Sequence, residues 1–178
     1  MNMYPQAYLD YLIFFQAERD YFECHEVLEA YWKEHPGDPH SLAFVGLIQL
    51  AVGLYHQRRG NFAGAVKMLQ SSWNHLSEEH IEALGMHPKT LKDSIAERIK
   101  ALNSGTPVYE DIELPIQDPR LLEQCQQESR RLGLLWSVPS DISNEHLIHK
   151  HTLRDRSKVI EEREVQIRKR QQQKGVSS

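Results

Sequence analysis

The stretch LAFVGLIQLAVGLYHQ, residues 42–57, limits most sharply what this chain can become. It is apolar on almost every side of a helix, a pattern that in a soluble chain marks a central helix surrounded by others. Eighteen unbroken apolar residues are absent, so no membrane span is expected. Gln49 and His56, seven apart and so on one face, interrupt the Leu, Ile, Val and Ala surface.

Helical spacing recurs along the rest of the chain, and no alternating run suggests a strand, so the fold class is all-α. Pro5 opens a first helix over 5–19, and Asp20 with Glu23 has the spacing of a capping box for a second, ending before HPGDP at 35–39. The central helix covers 41–58. Gly60-Asn61 turns the chain into a partner helix reaching about 76, and the small residues Ala63, Gly64 and Ala65 let the two approach closely. This pair is expected to be an antiparallel hairpin. A further helix runs from Pro88 to about Leu102, closed by Asn103-Ser104-Gly105. TPVYEDIELPIQDP lies extended, and Asp118-Pro119 starts a helix that Gly133 ends. A long charged helix is expected from Asn144 to about Gln172, with Leu153, Ile160 and Ile167 as a heptad seam.

At 178 residues and 40% hydrophobic content, the chain suffices for one sizeable core with an extension. The expected organisation is a helical bundle over 1–133, then a linker and charged helical extension over 134–178. Residues 150–174 hold nine Lys or Arg against four Asp or Glu, so a segment of +5 follows a body of −9 within a net charge of −4. His149, Lys150, His151, Arg154 and Arg156 form its basic arm. Such an arm can dock on its own body, capture an acidic protein or touch the phosphates of a nucleic acid. No nucleic-acid-binding motif accompanies the charge. Cys24 and Cys125 lie in no CxxC or zinc-type spacing, and no apolar leader precedes the first helix, so the expected setting is the cytoplasm.

YFECHEVLEAYW followed by GLIQLAVGLYHQRRGNFAGAVKML resembles the domain of unknown function 309 family of bacteria and archaea, over about residues 10–76. Val45 stands where that family commonly has Gln or another polar residue before GLIQ. The resemblance implies a compact helical fold and no activity. Gly53, Gly60 and Ala65 are also spaced as the small and turn residues of tetratricopeptide-like hairpins are, which adds an interaction role to the expectations.

On the second helix His25 and Glu29 are four apart, on the arc shared by Tyr21, Cys24, Leu28 and Trp32. Packing this helix on the central one is expected to gather His25, Glu29, Gln49 and His56 into a buried polar cluster. Burial of an unpaired carboxylate is costly, so Glu29 requires a donor, which His25 or His56 can supply. Such a cluster fixes helix register in a non-catalytic binding or scaffold protein, with a protein partner or self-association and no cofactor. The alternative reading is an enzyme acting on a small molecule. HEVLE matches the first half of HExxH with Glu29 in place of the second histidine, so His25, Glu29 and His56 could ligate a divalent metal or serve as acid and base.

Overall fold

The computed structural model describes residues 4–153, 164–165 and 167–172. The chain divides into two compact units, 1–142 and 143–178. In the first, seven α-helices pack with no strand among the described residues: α1 (Gln6–Ile13), α2 (Tyr21–Glu34), α3 (Ser41–Arg58), α4 (Phe62–His75), α5 (Glu78–Ala83), α6 (Pro88–Ser104) and α7 (Pro119–Arg131). The second unit holds α8 (Glu145–Ile148); the expected long helix is interrupted by a turn at His149, and the described residues 150–153, 164–165 and 167–172 are helical again. The heptad seam cannot be followed, because its Ile160 lies outside the described residues. The first unit also runs on past the expected boundary at 133.

Helix α3 sits at the centre, as its composition requires. It packs most extensively on α4 and next on α2, and Ala43, Phe44, Leu47, Leu50, Ala51 and Leu54 are wholly buried. Asn61 caps α4 by accepting a hydrogen bond from the Gly64 amide at 3.0 Å. The close approach of the hairpin comes from α3, whereas the sequence pointed to the small residues of α4. A Cβ on Gly53 would lie 2.8 Å from Leu69, and one on Gly46 2.6 Å from Leu76. Only Ala65 of the α4 trio is buried.

The expected first helix does not stay α-helical. After Ile13 it widens into a π-helical turn, Phe14–Glu18, and stops at Arg19, whose φ of 53° is left-handed. The Asp20 amide reaches back to the Phe14 carbonyl at 2.8 Å, which closes the turn. Asp20 then caps α2 through the Glu23 amide at 3.1 Å, as its spacing predicts. Helix α5 is the element that the sequence reading passed over. Behind it, residues 106–118 run extended, and a single bridge joins Met86 to Ile116.

Candidate functional site

Helix α3 is not buried on every side. Between Ala43 and Arg58 only Val45, Ile48, Gln49, Val52 and His56 are half-buried, and every other residue is buried. Their spacing of three, four, seven and eleven residues puts them on one stripe of the helix. On α2, Phe22, His25, Glu29 and Trp32 are half-buried beside this stripe. The Phe22 ring lies 5.9 Å from that of His25 and 6.1 Å from that of Tyr55, and Trp32 Nε1 donates to Ser41 Oγ at 2.9 Å. On α4 the half-buried Gly64, Met68, Ser71 and His75 flank the other side. The three helices thus present one open face, floored by α3 and walled by α2 and α4.

The four residues expected in a buried cluster belong to this face but form separate groups. His25 and Glu29, each 29% exposed, pair at 2.5 Å, and Lys33 holds the other Glu29 oxygen at 2.6 Å. Lys33 first, then the charge of His25, keeps the Glu29 carboxyl below its ordinary pKa against the effect of partial burial. His25 Nδ1 lies 3.5 Å from Glu26, so each ring nitrogen faces a carboxylate. Gln49 turns to α4 and accepts from His75 Nδ1 at 2.9 Å, a partner absent from the sequence reading. His56 Nδ1 faces Arg59 Nη2 at 3.0 Å and the Asn61 amide nitrogen at 3.4 Å. Both neighbours are donors, so Nδ1 accepts and the ring proton sits on Nε2. Solvation accounts for the difference from expectation. Ionisable groups at the rim of a helix packing keep part of their water, and enclosing them would forfeit it. Among the described residues no group of three His, Cys, Asp or Glu side chains is placed to hold a metal ion.

A second constellation, missed in the sequence, is more deeply buried. Arg19, 1% exposed, donates from Nε to the Val138 carbonyl at 2.8 Å, from Nη1 to the Ile112 carbonyl at 2.9 Å and from Nη2 to Glu113. Arg58 Nη1 donates to the Arg19 carbonyl at 2.7 Å, and its guanidinium lies 4.4 Å from the centre of the Tyr21 ring. Asp111 accepts from the Ser140 amide at 2.7 Å, from the Ser140 hydroxyl at 2.5 Å and from Tyr21 at 3.2 Å. Burial opposes the Asp111 charge, but the Ser140 donors and Arg19 outweigh it, and its pKa falls. Tyr21 is pushed up to about 12, first by burial and then by Asp111. With its bonds directed at main-chain carbonyls, this network clips residues 107–140 to the helices. The available signal was the doublet Arg19-Asp20 between two apolar helices.

Of the basic arm, His149, Lys150 and His151 are described, with His149 ending α8, while Arg154 and Arg156 lie outside the described residues.

Two comparisons bear on this geometry. Residues 8–68, which contain α2, α3 and their polar residues, match the model of the family Domain of unknown function (DUF309). The chain is 49% identical over 173 residues to the "Uncharacterized protein YpuF" of Bacillus subtilis (strain 168), covering 94% of this chain and 97% of that one. No solved structure matches.

Proposed function

We propose that this chain, which belongs to the domain of unknown function 309 family, is a non-catalytic binding protein whose open α2–α3–α4 face receives a segment of a partner protein. The observation that carries the reading is the half-buried stripe Val45, Ile48, Gln49, Val52 and His56 on a helix otherwise buried from Ala43 to Arg58. Aliphatic and polar positions mix along it, and rigid helices hold it from beneath. That is the make-up of an interaction surface: apolar area supplies affinity and fixed polar groups supply register. Two buried free thiols, Cys24 and Cys125, favour a reducing, cytoplasmic setting.

A photo-crosslinking residue at Val52, compared with one at the exposed Glu97, tests the reading in cells. Adducts specific to position 52 that disappear in Ile48→Asp are expected. Equal adducts at both positions, or adducts indifferent to Ile48→Asp, refute it.

The His25–Glu29 pair keeps a second reading in view, an acid/base or metal-dependent enzyme using His25, Glu29 and His56. Elemental analysis of protein purified without added metal separates the two. Stoichiometric zinc, iron or manganese that is lost in His56→Ala favours the enzyme.

A further inference from the structure

At the α3–α4 turn the open face ends in a charge that the described residues leave unbalanced. Arg59 is half-buried, and among the described residues its only side-chain hydrogen bond is from Nη2 to His56 Nδ1 at 3.0 Å. Its Nε is enclosed and has no partner. No carboxylate among the described residues pairs with it, although the body of the chain is acidic overall. Arg19 has Glu113 and Arg131 has Glu128. The residues around Arg59 fix its position without neutralising it. The Tyr55 ring lies 5.8 Å from the guanidinium carbon, and His56, accepting through Nδ1, is neutral in that role. Asn61, whose amide nitrogen faces the same Nδ1 at 3.4 Å, is held in turn by its bond to the Gly64 amide.

We propose that this cluster recognises a side-chain carboxylate of the partner, so that the open face is a docking site for an extended acidic peptide. The inference rests on the reading of the face as a docking surface and names what it selects. An oriented guanidinium with free N–H groups matches a carboxylate fork, and a partly enclosed cation gains more from an anion than a solvated one does. The adjoining floor argues for a peptide over a small anion. From Arg59 back to Val52 the helix rises about 10 Å, the span of roughly three residues of extended chain. An aliphatic side chain two or three residues from the acid therefore reaches the Val52 end of the stripe while the carboxylate sits at Arg59, and Ile48 lies one turn further along.

The test is selection of random dodecapeptides on the full-length chain, displayed with their C-termini fused so that side chains supply the only carboxylates. The expected winners share an Asp or Glu with Val, Ile or Leu two or three places away. Binding of a C-terminally amidated synthetic winner should weaken at least tenfold in Arg59→Gln and partly recover in Arg59→Lys. Its Gln- or Asn-substituted form should bind tenfold more weakly to the wild type and lose nothing further on Arg59→Gln. Gln70→Ala, on another side of α4, should leave affinity unchanged.

Winners without an acidic consensus, an empty selection, or unaltered affinity in Arg59→Gln overturn the proposal. Loss in Ile48→Asp without loss in Arg59→Gln removes the carboxylate requirement and leaves the docking face standing. Indifference to both variants removes the docking face as well. Sedimentation that shows a dimer dissociated by Arg59→Gln assigns the face to a second copy and likewise overturns the proposal.

Discussion

Truncating Arg19 tests whether the buried clip, more than local helix propensity, holds residues 107–140 in place. The side chain is 1% exposed and serves the Ile112 and Val138 carbonyls. A hydrogen bond involving a charged group contributes about 1.5–3 kcal/mol, so losing these two removes about 3–6 kcal/mol. The Glu113 contact adds little, because that carboxylate is 60% exposed and water can replace the arginine. The left-handed backbone at Arg19 separates the contributions. Ala at φ 53° keeps a conformational penalty of about 1–2 kcal/mol, which Gly escapes. Arg19→Gly should therefore be less destabilised than Arg19→Ala by about 1 kcal/mol yet remain well below wild type, with Arg19→Lys retaining part of the network. Urea titration followed by far-UV circular dichroism gives the stabilities, and hydrogen exchange should lose protection first at Ser140. A glycine variant as stable as the wild type would refute the reasoning, since backbone strain alone would then explain the site.

Three further outcomes follow from the packing. Gly53→Ala places a Cβ 2.8 Å from Leu69, an overpacking of about 1–3 kcal/mol that outweighs the gain of about 1 kcal/mol in helix propensity; thermal melting should show a lower Tm. Asn61→Ala removes the bond to the Gly64 amide and should cost about 1 kcal/mol in urea titration, while Asn61→Asp retains stability. The Asp111 carboxyl has a pKa below its unfolded value, so its contribution is present above about pH 4 and fades as pH falls through the folded value. Acid titration of Asp111→Asn should accordingly show a stability deficit at pH 7 that shrinks below pH 4.

Helix α3 was legible because a pattern apolar on nearly every side admits few environments, and the caps at Asp20, Asn61 and Asp118 were legible because each satisfies a free amide of the helix it opens. Local chemistry decides such features, and it is written in neighbouring residues. The π-helical turn was not legible. Its widening at Phe14–Glu18 brings Gln16 to the Leu114 amide at 2.9 Å and Arg19 to Ile112 and Val138. Those partners lie about a hundred residues away, and no window on the sequence around Arg19 contains them. Tertiary hydrogen bonds chose among helix types whose local energies differ little.

The same distinction governs the open face. Spacing of four along α2 and seven along α3 correctly grouped His25 with Glu29 and aligned Gln49 with His56, since helix periodicity sets which side chains share a side. It could not fix how far each helix rotates about its own axis, and that rotation decides between interior and rim. Core packing set it: Gly46 and Gly53 meet Leu76 and Leu69 on one flank of α3, and Phe44 and Tyr55 meet Tyr31 and Phe22 on the other. With both flanks committed to tight contacts, the intervening stripe stays half-buried. Gln49 and His56 therefore emerge beside α2 and α4, where His75 and Arg59 meet them. A polar pair that a sequence assigns to a buried network becomes, through that rotation, part of a half-buried surface.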